Sequence, residues 1–451
     1  MSKANLLRFP ILKWLFVNRW PQFLIRLVTL AGFLLAILGG FIGTPVGSRN
    51  ISIVLIWIAW WGLLILFAVP ILGRGWCNIC PIPLVGEWLQ QGTILGPAPK
   101  VDGYGLNKTW PKKLRNIWIQ NGFFLGLAVF STLILTNPLV TSIAVLGLFV
   151  LSIGLSLIFE RRAFCRYICP VSGFIGLYSQ VAPVEVRVID PQICRDHTQK
   201  TCYTGNENGY GCPWGLYPAA ITKNVNCGTC MECLRACPYD NMAVNLRPLG
   251  EDLFNPRERK MDEALKSFIM LGSAVVYSFV MLGPWGEVKM AAYSIGTPGW
   301  FAYTLTLLAL VLVLLPGMLF LGIKFADAGI SKSRLKREFV KQSYALVPLG
   351  LSAWIAFSLS FVFANFSYVL AVISDPFGWG WNLLGTASMP WTPYLSAVTP
   401  PLQSFSLLVG LSLTILASQK IARESDTSRS SWPLIGIATF LTVGQLWILI
   451  G

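Results

Sequence analysis

Apolar residues run in long, nearly uninterrupted blocks along this chain, and the blocks recur with polar segments between them. A helix crossing the hydrocarbon core of a bilayer needs about 20 apolar residues. Nine stretches reach or approach that length, at roughly 22–42, 51–73, 118–136, 138–160, 264–283, 300–322, 343–367, 403–418 and 433–450. The pattern predicts an all-α polytopic membrane protein of about nine transmembrane helices. One long polar interval, 184–262, has no run able to span and is rich in Gly, Asn, Pro and Asp, the composition of turns.

Four segments follow from this pattern. Residues 1–21 are basic and aromatic (Lys3, Arg8, Lys13, Trp14, Arg19, Trp20), with no small-residue cleavage pattern after the first apolar run. They read as an interfacial segment lying on the membrane. Residues 22–183 form a four-helix membrane domain, 184–262 an inserted polar domain, and 263–451 a five-helix membrane domain of unknown role without Cys or His.

Composition supports this reading, with 54% apolar and only 12% charged residues. A net charge of +15 would suggest nucleic acid in a soluble protein, but here its distribution points elsewhere. With the N-terminus placed in the cytoplasm, 33 of the 35 Lys and Arg fall on one side, and only Arg49 and Lys289 on the other. The positive-inside rule then gives N-in, C-out topology, with the polar domain cytoplasmic. The expected partners are membrane lipid rather than nucleic acid.

The four-helix domain contains a parallel repeat. Arg74-Gly-Trp-Cys77-Asn-Ile-Cys80-Pro81 follows the second apolar run, and Arg162-Ala-Phe-Cys165-Arg-Tyr-Ile-Cys169-Pro170 follows the fourth. Gly86 and Gly176 trail the two prolines. An axis along the membrane normal would bring the two Cys pairs together at the cytoplasmic boundary. Cys77, Cys80, Cys165 and Cys169 could share a further metal centre or cluster, act as a redox-active dithiol relay, or be structural. The shared centre is the leading expectation and the relay the second. The neighbouring Arg74, Arg161, Arg162 and Arg166 favour thiolates and bound anionic clusters.

The polar domain holds seven of the eleven cysteines. Cys227-Gly-Thr-Cys230-Met-Glu-Cys233-Leu-Arg-Ala-Cys237-Pro238 has the spacing of bacterial ferredoxins, in which three thiolates of one tight loop serve one cubane and the fourth serves a second. Zinc more often uses two separated pairs, and a reducing cytoplasm disfavours disulfides. Crossed ligation assigns Cys212, Cys227, Cys230 and Cys233 to cluster one. Cys194, Cys202 and Cys237 go to cluster two, leaving one position open. His197, the chain's one histidine, stands where the missing cysteine would be. It either completes that cluster or is a solvated loop residue beside a [3Fe-4S] or distantly closed one. The expected cofactors are thus two [4Fe-4S] clusters, one of them three-iron or His-ligated in the alternative readings. Bis-histidine haem has no ligand pair here.

Ionisable residues inside the apolar runs are few, with Glu160 at an end and Lys266 juxtamembrane, which argues against a proton pump. The outer segment 374–382 is aromatic and reads as an interfacial belt. No nucleotide loop, catalytic acid pair or nucleophile–base set is present, so no catalytic residue is assigned and an electron-transfer subunit fits better than a stand-alone enzyme.

These motifs, covering roughly 20–262, resemble the NapH/NosR/CcoG group of polytopic membrane ferredoxins. The resemblance implies a protein of the bacterial inner membrane that passes electrons between quinol and a partner redox subunit. Some members of the group instead serve assembly of copper enzymes, so the alternative expectation is a copper reductase or assembly factor. The chain departs from the group in its C-x2-C first pair, its irregular spacing before Cys227 and its five additional apolar runs.

Overall fold

The computed structural model describes residues 3–97, 103–255, 259–424 and 431–451. Eight helices in it are long and apolar enough to cross a membrane: Arg19–Ile42, Ile51–Ile79, Pro138–Ile158, Met261–Leu282, Pro298–Ala326, Lys332–Asn365, Thr399–Glu424 and Ser431–Ile450. They match eight of the nine apolar runs. The run at 118–136 takes a different form: a short helix, Trp118–Val129, a break at Phe130, and a single turn, Ser131–Ile134. Phe130 leaves the helical region at φ −98°, ψ 7°, and beside it Thr132 Oγ1 donates to the Ala292 carbonyl at 2.8 Å and Thr136 Oγ1 to the Thr132 carbonyl at 2.8 Å.

The chain divides into two compact units. The first comprises Met1–Leu38, Phe67–Gln120 and Ser142–Asp252; the second comprises Gly39–Leu66, Asn121–Thr141 and Leu253–Gly451. All eleven cysteines and the histidine belong to the first unit.

The regular elements of the second unit are all helices among its described residues. Its aromatic segment 374–382 turns about Asp375, whose carboxylate accepts from Trp379 N at 3.0 Å and Gly380 N at 2.8 Å, leaving Trp379 and Trp381 exposed. Lys266, two turns into its helix, is fully buried. Nearby, Tyr344 donates to Glu263 at 2.7 Å.

The polar domain in the first unit is built on a small antiparallel sheet. β1 (Ala4–Asn5), β2 (Val184–Val188) and β3 (Met242–Leu246) are ordered β1-β3-β2. Val184 pairs with Leu246 and Val188 with Met242, so alternate residues Val184, Val186, Met242 and Val244 are buried with Cys227, Met231 and Leu234. The N-terminal segment, expected to lie on a membrane, thus also supplies an edge strand. Its Phe9, Ile11 and Trp14 remain exposed as an apolar face. Lys3 bridges Glu185 and Glu251, each at 2.8 Å. Farther along, Arg19 makes a two-pronged pair with Glu232, and Arg235 donates to the Val17 and Phe16 carbonyls at 2.9 and 3.1 Å.

Burial alone would raise the Glu185 carboxyl, but Arg187, Lys3 and Arg247 outweigh it and hold the group below the usual carboxylate range. A depressed pKa contributes stability above the unfolded value of about 4.3, lost as pH falls through the folded value. The N-terminal strand is therefore expected to stay protected at neutral pH and to open below about pH 4, read by hydrogen exchange of residues 3–17.

Candidate functional site

The membrane-edge motifs repeat in structure as well as in sequence. Each apolar helix ends in a left-handed residue, Gly73 at φ +56° and Arg161 at φ +60°. A buried arginine follows, Arg74 or Arg162, and then a one-turn helix carrying Cys77 or Cys165. Cys80 and Cys169 close these turns before the next helix. The trailing glycines are close-approach positions: a Cβ at Gly176 would meet Arg74 Nη2 at 2.1 Å, and one at Gly86 would meet Ser156 Oγ at 2.7 Å.

Polar side chains hold the two loops in place. Arg26 donates to the Asn78 carbonyl and side chain, each at 2.6 Å, and Thr29 Oγ1 donates to the Ile79 carbonyl at 2.9 Å. Gln120 donates to the Cys165 carbonyl at 3.1 Å. Arg162 donates to the Cys77 carbonyl at 2.9 Å and forms a two-pronged buried pair with Glu87. The repeats are thereby cross-linked, since the arginine of the second holds the cysteine loop of the first.

Cys77, Cys80, Cys165 and Cys169 stand within electrostatic reach of one another. Burial and mutual repulsion push Cys80 and Cys165 up strongly, and burial pushes Cys169 up to about 12. Arg74 lies among Cys77, Cys165, Cys169 and Cys227. It donates to Ser172 Oγ at 2.8 Å, its Nε has no acceptor, and among the described residues no carboxylate pairs with it.

The polar domain gathers two further sets. Cys212, Cys227, Cys230 and Cys233 line one small cavity together with Trp214, Gly228, Thr229 and Met231. Burial raises all four thiols, Cys230 to about 12. Cys202, pushed up to about 11 chiefly by burial, lies within reach of Cys237 and Cys194. Thr201 Oγ1 fixes that neighbourhood by donating to the Ala236 carbonyl at 2.6 Å, beside Cys237. Asn241 Nδ2 donates to Cys194 Sγ at 3.4 Å. His197 caps the Pro191–Asp196 helix, and its ring meets Tyr239 edge-on at 5.1 Å, two residues beyond Cys237.

One local contact recurs across these sets. The backbone N–H two residues onward faces the sulfur at Cys212, Cys227 and Cys230, and likewise at Cys80 and Cys169. The membrane-edge cysteines therefore share the local geometry of the ferredoxin-type ones. All eleven cysteines are free of disulfides. Among the described residues, no three His, Cys, Asp or Glu side chains stand at the spacing of a single ion. A cubane is wider than an ion and takes four thiolates set farther apart. Two orphaned polar atoms fit the same group, for Trp214 Nε1 and Thr229 Oγ1 at the cavity are buried without partners. Each would cost about 1–3 kcal/mol in a dry protein and is satisfied by a sulfur acceptor.

The sequence spacing identified the cysteines and the arginines, but not Trp214, Ser172 or Glu87. Glu87 had a readable signal, as an acid directly after Gly86 in an apolar segment.

A model of a 4Fe-4S binding domain matches residues 53–101 and 141–183, the two helix-plus-Cys-Pro repeats. Two curated relatives are similar to part of the chain. The putative electron transport protein YccM of Escherichia coli (strain K12) is 25% identical over 128 residues, 28% of this chain and 32% of that protein. The methylamine utilization ferredoxin-type protein MauN of Paracoccus denitrificans (strain Pd 1222) is 28% identical over 145 residues, 29% of this chain and 47% of that protein. The chain thus spans about a third to a half of the length of these relatives. No solved structure matches it.

Two substitutions probe this geometry. Gly228→Ala would drive a Cβ into Trp214 Nε1 and is expected to lower the iron content of the protein if iron is held at this cavity, read by iron analysis and EPR. Glu87→Ala strands the Arg162 charge and is expected to cost about 3–5 kcal/mol, read as a lower melting temperature of the purified protein.

Proposed function

We propose that this chain is a membrane-bound electron carrier with three iron–sulfur centres. Cys212, Cys227, Cys230 and Cys233 hold the first. Cys194, Cys202 and Cys237 hold the second, with His197 as its candidate fourth ligand. Cys77, Cys80, Cys165 and Cys169 hold the third. Such clusters, when bound, accept and release single electrons. The protein's own part is to exclude water from the thiolates, donate N–H groups to sulfur and balance the added negative charge. Electrons pass between the quinone pool of the bacterial inner membrane and a partner redox subunit, with the iron–sulfur domain on the cytoplasmic side, where the bias of Lys and Arg supports it.

The observation that carries the third centre is Arg74. A guanidinium taken out of water is costly unless an opposite charge lies close. Arg74 is buried, carries an orphaned Nε and is surrounded by cysteines in place of carboxylates. An anionic cluster on those thiolates supplies the missing charge. The 4Fe-4S match to both repeats, and relatives described as an electron transport protein and a ferredoxin-type protein, support the same reading.

Iron and acid-labile sulfide counted on anaerobically purified protein test it. About twelve irons per chain are expected, falling to about eight in Cys77→Ser/Cys165→Ser. About eight in both forms would remove the third centre and leave the membrane-edge thiols to a dithiol role.

A further inference from the structure

Trp214 occupies an unusual place. It lies two residues past Cys212 and is one of the largest fully buried side chains of the protein. Its Nε1–H, a donor with no acceptor capacity, has no partner. The nitrogen is pressed against the Cys227–Cys230 loop, where only the missing side chain of Gly228 leaves room for it. The face of the ring is covered by both repeat arginines, Arg74 at 4.7 Å and Arg162 at 5.7 Å from its centroids. Those arginines also touch the membrane-edge set: Arg74 lies among Cys77, Cys165 and Cys169, and Arg162 donates to the Cys77 carbonyl. The second repeat holds the Trp214 backbone too, with Arg166 Nη1 donating to its carbonyl at 2.6 Å and Arg162 N donating to the Pro213 carbonyl at 2.8 Å.

We propose that the Trp214 indole joins two of the cysteine sets, a reading that rests on the function proposed above. Its Nε1–H donates to a sulfur at the Cys212, Cys227, Cys230, Cys233 site and raises that site's potential. Its ring, under Arg74 and Arg162, lies on the route to the Cys77, Cys80, Cys165, Cys169 site. One electron lost at one site is gained at the other. The indole stays closed-shell and no proton moves. Trp214 is thus a positioning and tuning residue. An N–H aimed at sulfur stabilises the reduced, more negative state, and the adjacent guanidinium charges favour electron density in the same region.

The test compares full-length wild-type protein with Trp214→Phe, which keeps a ring and loses the N–H, and with Trp214→Leu, which loses both. In EPR-monitored redox titrations, both variants are expected to retain iron and to lower the potential of the one site by about 59 mV, a tenfold change in its reduction equilibrium. Freeze-quench EPR is expected to show slower equilibration between the sites, with the larger loss in Trp214→Leu. Pulsed EPR on 15N-tryptophan-labelled wild type is expected to show an indole nitrogen coupling that vanishes in Trp214→Phe. Iron-replete variants with wild-type potential and no such coupling in wild type would overturn the proposal. If a variant loses iron, the wild-type nitrogen coupling decides alone, its presence supporting and its absence overturning. Failure of the underlying function is distinct, since wild-type protein would then contain no iron at the Cys212 site.

Discussion

Positive charge buried beside sulfur is the constraint around which the cysteine-bearing unit is arranged. Two guanidinium groups sit at equivalent places in a repeat, and the protein treats them differently. Arg162 has a carboxylate, Glu87, and so is neutralised within the fold. Arg74 has a hydroxyl and an aromatic face, with thiols all around. The asymmetry leaves one net positive charge in a low-dielectric pocket, and only thiolates or an anionic group on them can balance it. The left-handed residues before each arginine, the bare glycines after each proline, and the loops gripped by Arg26, Thr29 and Gln120 all bring those charges and sulfurs together.

Much of this was readable from residue order. Apolar runs gave eight of the long helices, because length and hydropathy are local properties. The Cys227–Cys237 spacing gave the ferredoxin-type loop, because ligand geometry constrains neighbours a few positions apart. The repeat was visible because both copies keep their Arg, Cys and Pro. Other features lay outside such reading. β1 is two residues long and pairs with residues near position 246, so no periodicity announces it. The break at Phe130 has no local signal, and the Ala292 carbonyl that Thr132 meets beside it is distant in sequence. Trp214 looked like one more aromatic residue in a loop. Its meaning comes from Gly228, Arg74 and Arg162, which only the folded chain assembles around it.

The division into two units places all of the cysteine chemistry in one of them. One unit carries every thiol and the single imidazole. The other carries neither, and its buried polar groups are hydroxyls, amides and a few charges such as Lys266 and Glu263. None of the Cys-Pro motifs lies in it.

The edge strand also sets an order of assembly. β1 is made long before its partner β3, since Ala4 pairs with Leu246. At roughly 5–20 residues per second, the N-terminal tail waits on the order of tens of seconds for that partner. In the interval its apolar Phe9, Ile11 and Trp14 have no folded sheet beside them, and the lysine that will later bridge two glutamates has neither. Docking of the tail therefore marks the moment when the strand following the cysteine loop has been made and folded. By the time β1 can pair with β3, the cysteines of the domain have all been synthesised.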